Sequence, residues 1–237
     1  MEKSTNKNLP VHIGFIMDGN GRWAKKRGLP RTFGHKEGAA VFRKIGDYCR
    51  KLGIRYVTFY AFSTENWKRP ADEVAALMDL FDSYLDDVER YAGRNTRIVF
   101  LGSKAPFRQS IRDKMLKLEE NTRHCDGMTL MLAMNYGGRD DIVHAAKQAA
   151  ELAAGGFIKP EDITEEMLSG MLYTGDAPDV DLVIRPSGEY RLSNFLIWQC
   201  AYAEYYFSDV LWPDFKASDL DKALAEYAER NRRFGGV

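Results

Sequence analysis

Four short segments of the sequence carry side chains that could bind phosphate groups. Each contains an arginine beside amide, hydroxyl or carboxylate side chains, and two contain closely spaced glycines. The segments are residues 18–22 (DGNGR), 63–69 (STENWKR), 135–139 (NYGGR) and 185–193 (RPSGEYRLS). Glycine turns that open a helix expose backbone N–H groups to phosphate oxygens, and arginine offers a planar pair of donors to the same oxygens. The segments therefore predict sites for phosphate-bearing ligands.

Five of the arginines in or near these segments are the candidates for phosphate binding, and five are more than one monophosphate needs. They are Arg22, Arg31, Arg69, Arg185 and Arg191. This excess suggests two polyanionic groups. Asp18 is then an anomaly, because a carboxylate repels phosphate. A divalent cation removes the conflict, since Mg²⁺ takes one or two carboxylates together with phosphate oxygens. The first segment is predicted to be a metal-assisted diphosphate site.

Structural interpretations compete with each of these assignments. Asp-Gly-Asn-Gly is also typical of an ordinary tight turn. Trp67 fits either core packing or a lid over the site. Among the histidines, His12 fits a structural role beside an apolar strand, whereas His35 lies near Arg31 and is the functional candidate. Neither GxxxxGK[ST] nor GxSxG occurs, so P-loop and hydrolase chemistry are not predicted.

Strand-like and helix-like segments alternate along the chain and predict the elements that position these side chains. Apolar, β-branched runs predict strands at residues 11–17, 55–62, 97–101, 128–134, 181–184 and 195–199. Helical patterns occupy residues 35–52, 71–92, 106–123, 140–154, 164–172 and 218–232. We expect an α/β fold with a central, mostly parallel sheet of about six strands surrounded by helices. Ligands of such sheets bind beyond the carboxyl ends of the strands, where the four segments fall.

The composition narrows the class of protein. The chain has 237 residues, of which 45% are hydrophobic, and 34 basic residues balance 34 acidic ones. This balance argues against a general nucleic-acid binder. The three cysteines show no CxxC spacing, so a reducing compartment is expected rather than a disulfide framework. We expect a flexible tail at residues 1–11 and a single domain at residues 12–237.

The helix predicted at residues 71–92 has a broad apolar stripe. Its members recur at helical spacing and are Val74, Leu77, Met78, Phe81, Leu85 and Val88. Such a stripe is typical of a helix that faces the core. Because the helix follows the segment at residues 63–69, the stripe is also placed to form one wall of a hydrophobic cleft.

Longer motifs resemble those of the cis-prenyltransferases. They are HIGFIMDGNGRWAKKRG, YAFSTENWKRP, NYGGRDDI, RPSGEYRLSNFLIWQCAYAEYYF and the terminal RRFGG. The resemblance runs from about His12 to the C-terminus, in the order and spacing of the family; Pro186 stands where the family frequently has threonine. It implies an apolar tunnel for a growing prenyl chain. The implied activity is sequential cis-condensation of isopentenyl diphosphate onto an allylic diphosphate, with farnesyl diphosphate as the expected starter.

The resemblance also implies roles for individual residues. It implies that Asp18 and Glu204 associate with Mg²⁺, and that Asp18, His35, Ser63 and Asn66 act in catalysis. The implied allylic diphosphate pocket comprises Gly19, Asn20, Gly21, Arg22, Trp23, Arg31, His35 and Arg69. The implied isopentenyl diphosphate site comprises Glu65, Trp67, Arg185, Arg191 and Ser193. The implied tunnel wall comprises Leu77, Met78, Phe81, Leu85 and Leu130. Leu132, on the same predicted strand as Leu130, is a further candidate, and alternation along the strand does not fix which face of the sheet these two occupy.

The implied partners are the two diphosphate substrates and a second copy of the chain. In the homodimer, Arg233 and Gly235 would reach the partner's active site. The expected product is undecaprenyl diphosphate, a lipid-carrier precursor for cell-wall synthesis, made in the cytoplasm with transient membrane contact at the inner face. A product of different length and a non-catalytic lipid-binding subunit are the alternatives, and the presence of Asp18 disfavours the second.

Overall fold

The structure is a computed structural model that describes residues 9–92 and 94–230, without the side chains of residues 87–92. Arg233 and Gly235, most of the predicted tail and the Val88 side chain therefore lie outside the described part. The described chain is anchored from its first residues. Leu9 packs against the core, Pro10 is buried and the Val11 amide donates to Asp181 Oδ2 at 2.7 Å.

A six-stranded sheet forms the centre of the described residues. Its strands are β1 (His12–Ile16), β2 (Tyr56–Ser63), β3 (Thr96–Leu101), β4 (Met128–Tyr136), β5 (Leu182–Pro186) and β6 (Glu204–Ser208). They lie in the order β3-β4-β2-β1-β5-β6, and every neighbouring pair is parallel. The predicted mostly parallel α/β sheet is confirmed. All carboxyl ends of the strands consequently meet at one edge.

Seven α-helices surround this sheet in the described chain. They are α1 (Asn20–Lys26), α2 (Arg31–Leu52), α3 (Ala71–Ala92), α4 (Gln109–Thr122), α5 (Gly138–Ala154), α6 (Glu165–Met171) and α7 (Ala217–Glu229). Three short 3-10 helices lie at Thr64–Lys68, Pro160–Asp162 and Trp212–Asp214. The six predicted helices are confirmed within a few residues, whereas α1 was not predicted. Among the described helices, none is both long and apolar enough to cross a membrane.

Strand alternation divides the core between the two faces of the sheet. On β1, Ile13 and Phe15 face the larger apolar cluster, which includes residues of α2, α3, α4 and α7. Ile16 faces the smaller cluster on the other side, with Phe195 and Leu196. Both faces are covered, as is usual for an all-parallel sheet.

The strand predicted at residues 195–199 is wrong. This segment consists of turns and bends, and the sixth strand is β6, a few residues later. Phe195 and Leu196 are fully buried, but Leu196 has φ +43°, which is incompatible with an extended strand. The run is apolar because it packs under the sheet. An apolar run shows burial and does not by itself fix the backbone conformation.

Candidate functional site

The turn after β1 places Asp18 at the carboxyl edge of the sheet. The Asp18 amide donates to the Ile16 carbonyl at 2.9 Å, and α1 begins two residues later. Gly19 between them has φ +102°, and a Cβ there would lie 2.2 Å from Ser187 Oγ. Only glycine fits this position, because both its backbone conformation and its surroundings exclude a side chain.

Asp18 forms an ion pair with Arg185, the residue near the end of β5. Arg185 Nη2 lies 2.9 Å from Asp18 Oδ2, and the Gly19 amide donates to Oδ1 at 2.6 Å. Burial of the carboxyl opposes its ionisation, but the hydrogen bond and charge of Arg185, the charge of Arg22 and the Gly19 amide together hold the pKa of Asp18 below its usual value. Asp18 is therefore an anion at neutral pH, with its side chain 30% exposed.

Arg185 is buried and held by several partners. Its Nη1 donates to Ser193 Oγ at 2.8 Å and to the Arg191 carbonyl. Its Nε is buried without a hydrogen-bond partner among the described residues. A buried guanidinium with an unsatisfied N–H donor is suited to a further acceptor, because leaving a buried donor without a partner is costly. The Arg191 guanidinium, by contrast, is mostly exposed and pairs with Glu189 at 2.5 Å.

Ser187 is a site residue whose role sequence reasoning missed, although it lies in the predicted segment at residues 185–193. It has φ +86°, a conformation that a non-glycine residue adopts only under constraint. Its hydroxyl donates to the Asp18 carbonyl at 2.6 Å, and its own carbonyl accepts from Arg22 Nη1 at 2.9 Å. Ser187 thus ties the turn after β5 to the turn after β1. Strained backbone of this kind clusters at functional sites.

Asn194 is a second missed residue, and it joins three loops. Its Nδ2 donates to Glu65 Oε1 at 3.0 Å, and its Oδ1 accepts from the Arg139 amide at 3.0 Å. It also has φ +64°. Asparagine tolerates this conformation, so an Asn beside the predicted Ser193 was the available sequence signal.

The segment after β2 forms a short 3-10 helix whose N-terminus is capped by side chains. The Ser63 side chain accepts a hydrogen bond from the Asn66 backbone N–H. In return, the Ser63 backbone N–H donates to Asn66 Oδ1 at 3.0 Å. Trp67 packs edge-on against Phe62 and donates from Nε1 to Asn135 Oδ1 at 2.8 Å. Of the two interpretations of Trp67, core packing is the one the structure supports.

A second group of cationic side chains, Arg31 and Arg69, lies at the start of α2 and just before α3. Arg69 Nη1 and Arg31 Nη1 lie 2.9 Å and 3.5 Å from the two carboxylate oxygens of Glu73. His35 lies beside them, and its buried Nε2 has no partner among the described residues. Burial, followed by the positive charge of Arg69, lowers the pKa of His35 to about 4 although Glu73 opposes the shift. His35 is therefore neutral at pH 7 and offers a hydrogen bond rather than a charge.

A cavity of about 600 Å³ connects these groups. Its polar lining includes Asp18, Asn20, His35, Ser63, Glu65, Asn66, Arg69, Arg185 and Ser193. Asn20 Oδ1 is also buried without a partner within the described chain. The structure thus brings these nine predicted site residues around one space, whereas the lining does not include Gly19, Gly21, Arg22, Arg31, Trp67 or Arg191. Trp23 is not brought there: its Nε1 donates to Asp214 Oδ1 at 2.8 Å, and it does not line the cavity.

The rest of the cavity is apolar. Its apolar lining includes Ile16, Met17, Ala39, Phe42, Phe62, Leu77, Leu80, Phe81, Leu85, Leu132, Met134 and Trp212. Leu77, Phe81 and Leu85 line it as predicted. Met78 and Leu130 do not, and both belong to the closed core instead. Leu132, the other candidate on this strand, does line the cavity. It faces the same side of β4 as Leu130 but is two residues nearer the carboxyl edge.

Glu204 does not lie with Asp18 in this chain. Glu204 begins β6, where its Cα pairs with Leu182 at the start of β5. Because the strands are parallel, Glu204 lies at the amino edge of the sheet and Asp18 at the opposite edge. Glu204 Oε2 accepts from Arg230 Nη1 at 2.8 Å. Glu204 and Asp18 therefore do not share a site within one chain, and the implied association of Glu204 with Mg²⁺ stays a prediction.

Asp18 is the residue that could hold a metal ion at this site. It is ionised and partly exposed, as a ligand must be. Within the described chain, no group of three or more His, Cys, Asp or Glu side chains is arranged to hold a metal. This donor set does not fit a cation held by protein ligands alone. It fits the way Mg²⁺ binds through one carboxylate and the phosphate oxygens of a substrate.

Comparison with known proteins gives the same family by sequence and by structure. A family model described as "Putative undecaprenyl diphosphate synthase" matches residues 16–235. An isoprenyl transferase of Clostridium perfringens is 50% identical over 97% of this chain and 91% of that protein. A (2E,6E)-farnesyl-diphosphate-specific ditrans,polycis-undecaprenyl-diphosphate synthase of Salmonella typhi is 49% identical over 98% of this chain and 94% of that protein.

A solved structure of lavandulyl diphosphate synthase from Lavandula x intermedia, in complex with dimethylallyl diphosphate, superposes closely on this chain. The TM-score is 0.94 at 36% identity, and the match covers 97% of this chain and all (100%) of that one. The similarity of fold therefore extends over nearly the whole chain.

Proposed function

The chain belongs to the cis-prenyltransferase family of undecaprenyl diphosphate synthases, and we propose that it extends an allylic diphosphate by repeated cis-condensation with isopentenyl diphosphate. The proposed starter is farnesyl diphosphate and the proposed product is undecaprenyl diphosphate. Relatives whose names give this starter and this product, at 48–49% identity over nearly the full chain, support both assignments.

The observation that carries the proposal is the division of one cavity into a polar end and an apolar body. The polar end has cationic and hydrogen-bonding groups at the carboxyl edge of the sheet, and the body is lined by α2, α3 and β4. A prenyl diphosphate has the same division, with an anionic head on a hydrocarbon chain. A single cavity that has a polar end and an adjoining apolar body suits a prenyl diphosphate better than it suits free diphosphate or a free hydrocarbon.

The two cationic groups match two diphosphates. Arg31, Arg69 and Asn20 lie on the side of α1, α2 and α3, where we place the allylic diphosphate with its tail along the apolar wall. Arg185, Ser193 and Arg191 lie after β5, where we place isopentenyl diphosphate. The groups around the allylic head would stabilise charge that develops on the departing diphosphate. The isopentenyl double bond would then attack the allylic carbon.

Loss of a proton from C2 of the isopentenyl unit forms the new double bond, completes each condensation and sets the cis geometry. We assign acceptance of this proton to the departing diphosphate, with Ser63 and Asn66 holding it in reach. Neutral His35 would donate a hydrogen bond to the allylic head, since its Nε2 is otherwise unpartnered among the described residues.

Mg²⁺ is the proposed cofactor, held by Asp18 and by diphosphate oxygens. A bound Mg²⁺ would supply neutralisation of the negative charge of a diphosphate head. The buried guanidinium of Arg185 orients the Asp18 carboxylate through Oδ2 at 2.9 Å. Ser187 holds the Asp18 backbone through the hydrogen bond from its hydroxyl to the Asp18 carbonyl.

We further propose a homodimer in the cytoplasm that touches the inner face of the membrane when it releases its product. The buried free thiols of Cys49, Cys125 and Cys200 are compatible with a reducing compartment. In such a dimer Arg233 and Gly235 would reach the partner's site, and Glu204 would meet a metal only across chains.

Product analysis tests the proposed activity. The full chain is incubated with Mg²⁺, radiolabelled isopentenyl diphosphate and either farnesyl or geranyl diphosphate, and the products are separated by thin-layer chromatography and mass spectrometry. A ladder that ends at undecaprenyl diphosphate supports the proposal. A shorter or longer final product supports another cis-prenyl synthase, and no extension from either starter contradicts an enzymatic function.

A further inference from the structure

The corner between α1 and α2 carries an unusual combination of exposed cations and exposed apolar side chains. Residues 25–33 are exposed without interruption. In this run Leu29 is 38% exposed and Phe33 is 51% exposed. Four of its nine residues are basic and none is acidic, although the whole chain has equal numbers of basic and acidic residues.

Much of the positive charge on this corner has no partner on the protein. Arg27 is paired with Asp214 at 3.3 Å, and Arg31 with Glu73 at 3.5 Å. Among the ion pairs of the described residues, none involves Lys25, Lys26 or Lys36. The corner therefore presents net positive charge beside two protruding hydrophobic groups.

The corner is also held firmly in place. Trp23 donates to Asp214 at 2.8 Å, and the Arg27 guanidinium lies over its ring at 4.0 Å from the centroid. Pro30 precedes the first turn of α2. Leu29 and Phe33 are thus exposed by a fixed backbone rather than by a loose loop.

The same corner adjoins the cavity that we assign to the prenyl chain. Asn20 and His35, which bracket it in sequence, both line that cavity. A small side cavity of about 50 Å³ lies between α2 and α3 and is lined by Arg31 and Thr32, together with His35, Leu77 and Leu80. The last three also line the main cavity. The exposed corner and the apolar wall are therefore neighbours.

From this arrangement we propose that the corner at residues 25–33, with Lys36, docks on an anionic lipid bilayer. Cations beside shallowly inserting Leu and Phe side chains are the chemistry of an interfacial membrane contact. Docking here would bring the apolar cavity close to the bilayer into which a prenyl product partitions. This inference rests on the proposed function for its purpose, and it is tested by binding rather than by turnover.

The test measures co-sedimentation of the full chain with vesicles. Vesicles of phosphatidylcholine alone are compared with vesicles that also contain phosphatidylglycerol, at low and high salt. We expect binding to the anionic vesicles that salt weakens, because the cations are exposed. The proposal is overturned if the protein binds neither kind of vesicle, or if it binds neutral vesicles as well as anionic ones.

Two variants locate the contact. Lys25→Glu with Lys26→Glu should weaken binding at least roughly 25-fold, because each basic residue near an anionic surface contributes about a factor of five. Phe33→Ser should weaken it about 10-fold by removing an inserted apolar group. The matched controls are Lys147→Glu with Lys159→Glu, and Phe157→Ser, which change exposed residues elsewhere. Equal losses in test and control variants overturn the assignment of this corner.

Two further measurements distinguish membrane docking from a loss of enzymatic activity and from general binding of polyanions. Prenyl transfer in detergent, with no bilayer, should be unchanged in both test variants; if wild type shows no transfer, the proposed function fails while the binding result still stands. Polyglutamate or double-stranded DNA should not compete with anionic vesicles at equal charge. Effective competition would show a general polyanion surface and overturn a lipid-specific contact.

Discussion

The polar and apolar ends of the cavity are built in opposite ways. At the polar end, Asp18, Arg185 and Ser187 are joined by hydrogen bonds of 2.6–2.9 Å across two strand ends, and Gly19 and Ser187 have positive φ. At the apolar end, side chains such as Leu85 and Leu132 from α3 and β4 simply pack. Binding at the polar end thus depends on the direction and length of hydrogen bonds, whereas binding at the apolar end depends on the volume that the side chains leave open.

This difference separates two kinds of functional sensitivity. Hydrogen bonds and ion pairs weaken steeply when an atom moves or changes charge, so the polar end should control rate. Apolar contacts are non-directional and follow buried area and space, so the apolar end should control how much chain fits. The following variants test that separation, from the largest expected effect to the smallest.

Asp18→Asn should give the largest loss. It removes the negative charge proposed to hold Mg²⁺ and leaves the buried Arg185 guanidinium without its ionic partner. We expect incorporation of radiolabelled isopentenyl diphosphate to fall roughly a thousand-fold, at the upper end for loss of one electrostatic group. Asp140→Asn, at an exposed carboxylate, is the control. Near-normal extension by Asp18→Asn would end the metal-carboxylate proposal.

Arg185→Lys should be the next most harmful change. Lysine keeps the charge but cannot reach Asp18, Ser193 and the Arg191 carbonyl with one planar fork. We expect roughly a hundred-fold lower kcat/KM for isopentenyl diphosphate, with a smaller change for the allylic substrate. Arg97→Lys, on the exposed side of β3, is the matched control. An equal loss for both substrates would contradict the assignment of this side to isopentenyl diphosphate.

Leu85→Ala should change the product and not the rate of the first condensation. Leu85 is 3% exposed and lines the cavity, whereas Leu118 is equally buried at 3% and belongs to the core away from it. Both alanine variants should lose about 2–4 kcal/mol of unfolding free energy. Only Leu85→Ala should shift the chain-length distribution, upwards, as read by mass spectrometry. The same distribution from both variants would show that the apolar end does not measure length.

Ser187→Ala should produce a modest effect at the polar end. It removes the hydroxyl that donates to the Asp18 carbonyl, so we expect about a five- to ten-fold lower kcat and a higher Mg²⁺ requirement, in line with one lost hydrogen bond. Ser187→Gly removes the same bond and also relieves the positive φ. If the hydrogen bond is what matters, both variants lose activity; normal Mg²⁺ dependence in both would contradict the positioning role.

The smallest effect concerns His35 and pH. Its pKa is about 4 in the folded chain against 6.5 for an ordinary histidine, so between these values the unfolded chain binds a proton that the folded chain does not. Stability should therefore fall as pH drops from 6.5 towards 4, by up to about 1.4 kcal/mol per pH unit for this group. His35→Asn should flatten the dependence measured by urea unfolding, leaving a share from buried His12, whose pKa is also about 4. An unchanged slope would contradict the burial of His35, and the exposed His124→Asn serves as the control.

Local sequence patterns predicted most of the fold. Five of six strands and the six predicted helices follow from apolar periodicity, because each of those segments buries a face that its own spacing defines. The failure at residues 195–199 has the opposite cause. That run is buried because other parts of the chain cover it, and the positive φ of Leu196 depends on those contacts.

The site shows the same division. Asp18, Arg185, Ser193 and the segment after β2 were predicted because arginines, amides and glycines at strand ends favour phosphate chemistry. The roles of Ser187 and Asn194 were missed because their importance lies in partners 55 to 169 residues away in the chain. Nothing local distinguishes a serine that holds a distant carbonyl from one in an ordinary turn.

By itself, the sequence determined the chemical types available: an anionic residue in a glycine turn, several arginines and an apolar helix. It also determined the parallel order of elements that sends strand ends to one edge. Only the tertiary structure decided which of those residues share a space. It placed Asp18 against Arg185 and Leu132 at the cavity, and it separated Glu204 from both, because the position of each strand within the sheet and the depth of each residue along it are set by long-range pairing.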